Sequence, residues 1–257
     1  MKFLAAMKFL TIIPLFRQRV DSVEEIGGSL VYYPVVGFII GIVLSALNWL
    51  FGFLFPAAVA NGLLIVSLVI ISGALHLDGF IDTCDGIAGH KPVEARWQIM
   101  HDSRTGAFGV VGAVLLLLMK YVSFNSVPVG LLPATLILIP VLSRWAMVYA
   151  IFAYPYARPV GLGKTIKQAV TWQKFTIATI IALALVIGLA WQADITYFWA
   201  AGTMLLLGIW VIIICVAAFF KRMFAGLTGD TYGAINEIAE VSVLLLLVLL
   251  IHNHWLI

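Results

Sequence analysis

The sequence predicts an all-α fold: a polytopic integral membrane helical bundle of about seven transmembrane helices, preceded by an N-terminal amphipathic helix lying in the interface. Three observations predict it. Hydrophobic residues make up 63% of the 257 residues and charged ones only 11%, whereas soluble domains average about 45–50% and about 25%. Apolar runs of the ~20 residues that cross a hydrocarbon core as a helix recur along the chain. Basic residues fall almost wholly in alternate connections between those runs.

The opening "MKFLAAMKFLTIIPLF" has the charge and apolar content of a secretory leader, but Lys8 interrupts it and no small-residue cleavage site follows. Phe3, Leu4, Met7 and Leu10 recur at helical spacing, so this segment is read as the interfacial helix. Spans are expected near 32–54, 57–77, 107–127, 131–154, 175–193, 195–219 and 239–257. Lys2, Lys8, Arg17 and Arg19 precede the first of them. Lys91, Arg96 and Arg104 lie in the connection 78–106, Arg158, Lys164, Lys167 and Lys174 in 155–174, and Lys221 and Arg222 in 220–238. The connections near 55–56, 128–130 and 194 hold no basic residue.

The positive-inside rule then puts the N-terminus and the polar mass on the cytoplasmic side of the cell (inner) membrane and the C-terminus outside, which agrees with an odd number of spans. Among the acidic residues only Asp194 falls outside. Lys120 and Arg144 lie within spans. Lys120 is expected to snorkel outward, and Arg144, nearer mid-depth, to face a polar cavity. Residues 1–257 read as a single integral-membrane domain in contact with the lipid bilayer. A net charge of +3 calls for no nucleic-acid partner. Cys84 and Cys215, at different depths, are expected as unpaired thiols. A homo-oligomer stays open, because lipid-facing and subunit-facing spans look alike in sequence.

The stretch "HLDGFIDTCDGIAGH" gathers Asp78, Asp82 and Asp85 beside an apolar run. If the preceding helix continues, their i, i+4, i+7 spacing puts them within about 60° on one face. Like charges so placed repel, and a cation offsets them. Oxygen ligands suit a hard ion such as Mg²⁺, which joins one or two carboxylates to substrate phosphates. The plainer reading is a solvated helix end. "HDSRTGAFG" adds the carboxylate of Asp102 and the donor fork of Arg104, a group suited to phosphate; alone, Arg104 reads as a helix anchor. "YARPVGLGK" offers Arg158 and Lys164 among glycines, without P-loop spacing. "GLTGDTYGAINEIAE" offers Asp230, Asn236, Glu237 and Glu240, the two glutamates sharing a helical face. His76, His90 and His101 bracket the acids, as bases, ligands or polar edge residues. His252 and His254 are read as interfacial.

Taken in order, "HLDGFIDTCDGIAGH", "HDSRTGAFG", "SRWAMVYA", "YARPVGLG" and "GLTGDTYGAINEIAE" resemble the cobalamin synthase family. "FLTIIPLF" and "YYPVVGFIIG" fit that family's start, so the resemblance runs nearly end to end. It implies a Mg²⁺-dependent membrane enzyme. α-Ribazole, or its 5′-phosphate, attacks adenosylcobinamide-GDP; GMP leaves, and adenosylcobalamin or its 5′-phosphate forms. Combined with the residue reading, it makes Asp78, Asp82 and Asp85 the metal ligands. Asp82, Asp85, Asp102 and His76 become the catalytic set, with Asp102 or His76 taking the hydroxyl proton. Arg104, Arg144 and Arg158 are candidate phosphate clamps, and Lys164, Asp230, Asn236 and Glu237 further substrate-binding positions.

Two other classes stand beside this one. CDP-alcohol phosphotransferases share a D-x-x-D-G opening, which Asp82, Asp85 and Gly86 match, but "IAGHK" departs from that signature and no later D-x-x-x-D occurs. A transporter accounts for Arg144, yet the ionisable residues crowd one face rather than the midplane.

Overall fold

In a computed structural model the chain is helical, and the residues described are 2–13, 22–89, 91–159, 161–192 and 198–253. Arg17, Arg19, His90, Asp194 and His254 lie outside them. Among the described residues six helices are long and apolar enough to cross a membrane, or seven spans if one bent pair is counted.

The N-terminal helix α1 (Lys2–Leu10) does not simply lie in the interface. Ala5, Ala6, Met7 and Leu10 are buried against α2 (Val23–Ser29) and α3 (Tyr33–Leu54). Small alanines let it sit close, which rotates the buried stripe away from Phe3 and Leu4. Ser22 and Glu25 cap α2 reciprocally. From Glu25 to Leu54 the chain forms the first long apolar span.

Next comes α4 (Ala57–Ile71), which differs from the expected span to 77. It stops at Ile71, and Gly73 (φ 63°) and Ala74 (φ 56°) take left-handed conformations. The chain restarts as α5 (Leu75–Ile87), turned 89° from α4. At about 1.5 Å per residue α5 is about 20 Å long, too short and too acidic to cross a ~30 Å core.

A short helix α6 (Val93–Met100) leads to the span α7 (Ala107–Asn125), then α8 (Leu132–Ala153). The amphipathic α9 (Leu162–Ala169) precedes the spans α10 (Trp172–Gln192), α11 (Phe198–Phe224) and α12 (Gly229–His252). The last begins ten residues before the expected 239, because a capping box of Thr228 and Thr231 starts it ahead of the charged residues. Asp230, Asn236 and Glu237 therefore ride on the same helix as Glu240, not on a connection.

Burial ranks the spans. In the α8 segment 78% of the most apolar window is buried and in α12 61%, against 22% in α10 and 28% in α7. Helices α8 and α12 form the axis, and α3, α5, α7, α10 and α11 pack around them. Val110, Val114, Leu118 and Val122 on α7 and Leu207 and Val211 on α11 stay exposed, an apolar surface of the kind a bilayer covers.

Candidate active site

The turn at Gly73–Ala74 has a purpose that the packing reveals: it lays α5 across the first turns of α12. A Cβ on Gly79 would lie 2.7 Å from Asp230 O, and one on Gly233 would lie 3.1 Å from His76 Cα. Only glycine lets two backbones approach so closely. The crossing sets Asp78 and Asp82 of α5 beside Asp230, in the first turn of α12. Burial pushes the Asp82 carboxyl up to about 7, helped by the charges of Asp78, Asp230 and Asp85, with Arg158 pulling the other way. Arg158 donates from Nη2 to Asp230 Oδ2 at 2.9 Å. Its loop is pinned to the start of α12 by backbone bonds, Ala157 N to Leu227 O at 2.7 Å and Leu227 N to Pro155 O at 2.8 Å.

Asp85 departs from its expected role. Its carboxylate accepts from Gly106 N at 2.7 Å and from Gly109 N at 2.8 Å. It satisfies amides at the start of α7 that have no partner within the helix. Both oxygens are so engaged, and the side chain is buried. The three-aspartate metal face is corrected accordingly: Asp78 and Asp82 face Asp230, while Asp85 turns to α7.

Asp102 and Arg104 pair with each other at 2.6 Å, with Arg104 87% exposed. Hydrogen bonds from Arg104 hold the Asp102 carboxyl down at about 2 for as long as the two stay paired. An exposed pair of this kind is held loosely, so Arg104 is free to re-pair with a phosphate. The two line an open cavity of about 400 Å³ with Asp85 and Lys91. Lys164, in the first turn of α9, donates to the backbone carbonyl of Pro159, next to Arg158 in the chain.

Arg144, Asn236 and Glu237 are corrected as substrate-binding positions. All three are buried at 0–3% exposure inside the bundle. Lys120 does not snorkel: at 1% exposure its Nζ donates to Glu237 Oε2 and Glu240 Oε2, both at 2.6 Å. Arg144 donates to Glu240 Oε1 and to Ser143 Oγ, and Asn236 Nδ2 reaches Glu240 Oε1 at 3.1 Å. Two cations and two carboxylates neutralise one another across α7, α8 and α12, where no substrate phosphate displaces them without leaving buried charge unpaired.

His76 is 1% exposed, and neither ring nitrogen has a hydrogen-bond partner among the described residues. Together with Asp78, Gly79, Asp230 and Tyr232 it lines a cavity of about 160 Å³. That cavity shares Gly163 and Gly229 with a wider one of about 510 Å³ lined by Trp97, His101, Tyr156 and Arg158. Sequence reasoning did not find Arg96. Its guanidinium bonds the carbonyls of Gly86, Ile87, Gly89 and Lys91 at 2.9–3.1 Å, closing the C-terminal end of α5. Nothing local in the sequence marks it.

Among the described residues no group of three or more His, Cys, Asp or Glu side chains forms a ready-made metal cage. Mg²⁺ needs none, since one or two carboxylates and substrate oxygens suffice. Asp78 and Asp230, oxygen donors opening on one cavity, with Asp82 driven towards protonation by burial and then by their charge, fit such an ion.

Residues 2–248 match the family described as cobalamin-5-phosphate synthase. A protein of Desulforamulus reducens named adenosylcobinamide-GDP ribazoletransferase is 36% identical over 245 residues, covering 95% of this chain and 94% of its own. Proteins of the same name from Roseiflexus sp. and Pseudomonas putida are 36% and 34% identical, each over 95% of this chain and over 88% and 96% of their own. No solved structure matches. The CDP-alcohol phosphotransferase and transporter readings give way to these relationships. By a match that spans almost its whole length, the chain belongs to the cobalamin-5-phosphate synthase family.

Proposed function

We propose that this protein transfers the cobinamide-phosphoryl group of adenosylcobinamide-GDP to α-ribazole or its 5′-phosphate, releasing GMP. Its relatives' names and the family match support the reaction. The observation that carries the site is the crossing of α5 over α12, which opens Asp78 and Asp230 on one cavity, with Asp82 close by and Arg158 bonded to Asp230.

Phosphoryl transfer asks mainly for positioning and charge stabilisation. A ribose hydroxyl oxygen of the acceptor attacks the phosphorus that carries cobinamide; the bond to the bridging oxygen of the pyrophosphate breaks, and GMP departs with that oxygen. Asp82 takes the hydroxyl proton on a carboxylate oxygen, its affinity raised into the range a general base needs near neutral pH. Arg158 exchanges Asp230 for a phosphate oxygen, joined by Lys164 from the first turn of α9 and by Arg104 from the segment ahead of α7. The wider cavity beside Arg158 receives the GDP half. Asp78 and Asp230 would hold Mg²⁺, which when bound offsets charge on the pyrophosphate and the leaving GMP. Asp85 acts by fixing α5 to α7, and the Lys120–Glu237–Glu240–Arg144 cluster by locking α7, α8 and α12 beneath the site.

The basic connections support a site facing the cytoplasm across the cell inner membrane. Purified protein is incubated with adenosylcobinamide-GDP, α-ribazole and Mg²⁺, with and without a chelator. GMP release that needs all three supports the proposal; release without the acceptor, or none at all, refutes it.

A further inference from the structure

The cavity of about 160 Å³ has a definite chemical character. Met147, Ile151 and Ile166, each at 2% exposure or less, form its apolar interior, while Leu75 (46%) and the exposed Asp78 stand at its mouth. Two polar side chains interrupt that interior. His76 and Tyr232 are 1% and 4% exposed, and His76 Nδ1, His76 Nε2 and Tyr232 Oη lack hydrogen-bond partners among the described residues. Buried polar groups are nearly always paired, and each left unpaired costs about 1–3 kcal/mol. Two such groups lining one small apolar cavity point to a flat apolar ligand that carries a hydrogen-bonding atom.

Size narrows the choice. An apolar cavity of about 150 Å³ accommodates benzene, so this one suits an aromatic heterocycle and excludes a corrin or a whole guanine nucleotide. In the proposed reaction the wider cavity beside Arg158 takes the guanine nucleotide, which leaves the base of the acceptor nucleoside for this one. A ring nitrogen of that base accepts from Tyr232 O–H. With the base inside, its ribose emerges at the mouth beside Asp78 and Asp230, where the attacking hydroxyl is required.

We propose that this cavity is the subsite for the aromatic base of the acceptor nucleoside, a benzimidazole-type heterocycle, whose permitted size the walls at Leu75, Met147, Ile151 and Ile166 set. The assignment rests on the reaction proposed above. It places the base between α5, α8, α9 and α12 and leaves the corrin outside.

Full-length protein in nanodiscs tests this with ribosides of imidazole, benzimidazole and 5,6-dimethylbenzimidazole at saturating adenosylcobinamide-GDP. Leu75→Trp narrows the mouth from an exposed position, so the bundle's packing is not challenged. It is expected to raise KM for the dimethylbenzimidazole riboside by about tenfold or more, the scale of a misfitted apolar pocket. KM for the imidazole riboside and for the donor should stay within about twofold of wild type. Tyr232→Phe, which keeps the volume and removes the donor, is expected to raise KM for every riboside by about tenfold. Equal KM changes for large and small bases in Leu75→Trp, or a change in donor KM alone, overturn the subsite while leaving the reaction standing. If wild-type protein releases no GMP, the reaction itself falls. Calorimetry of the ribosides alone then decides the cavity: binding weakened by Leu75→Trp supports it, and no binding to wild type overturns it.

Discussion

Arg158, which lines the wider cavity, and Asp230, which lines the smaller one, meet at 2.9 Å in a largely buried ion pair formed by a loop after α8 and the first turn of α12. Arg158 Nε has no partner among the described residues, so the guanidinium holds a donor in reserve for a second anion. Arg158→Ala is expected to lower kcat/KM by about 10²- to 10³-fold, the usual cost of removing one donor aimed at developing charge. Steady-state GMP release by protein of unchanged unfolding temperature checks it.

The buried cluster predicts a different signature. Lys120→Met leaves Glu237 and Glu240 facing each other without their shared cation. Breaking a buried pair from one side costs about 3–5 kcal/mol. Thermal unfolding in detergent should show a large fall for this variant, with activity lost in proportion to folded protein rather than through KM.

The acid face makes stability depend on pH. The Asp82 carboxyl is pushed up to about 7 in the folded protein from an ordinary 3.8, so between those values the folded chain holds a proton that the unfolded chain has released. The stabilising effect of that proton is full below the lower value and is lost as pH rises through the upper one. Asp82→Asn is therefore expected to raise the unfolding temperature more at about pH 8 than at about pH 5. For wild type, kcat/KM rises with pH as Asp82 ionises, and added Mg²⁺ shifts the rise to lower pH, because a nearby cation favours the carboxylate.

Asp85 separates architecture from chemistry. Asp85→Ala removes the acceptor of two α7 amides, Gly106 N and Gly109 N, at a cost of about 1–3 kcal/mol. Its unfolding temperature should fall, while divalent-cation affinity stays that of wild type.

Much of this arrangement was legible in the sequence, and the exceptions share a physical origin. Uncharged apolar runs marked the spans because a hydrocarbon core selects them. The same logic pushed charge outward and so left Glu237 in a connection, whereas it is buried with Glu240, which becomes tolerable through Lys120 and Arg144 on other helices. Asp78, Asp82 and Asp230 stood out as acids in a greasy chain, but their meeting depends on the left-handed Ala74, a conformation its residue type does not announce. Asp85 was read by spacing with its neighbours on α5; its actual partners lie 21 and 24 residues away on α7. Helical periodicity identifies a face. It does not say which neighbour that face meets.

Binding of Mn²⁺, followed by its paramagnetic resonance signal in wild-type protein and in variants with adenosylcobinamide-GDP present, tests the central claim most directly. The account predicts a bound ion in wild type and in Asp85→Asn, and a loss of about tenfold or more in affinity in the Asp78→Asn/Asp230→Asn double variant. Unchanged affinity in the double variant, or loss in Asp85→Asn alone, would contradict it.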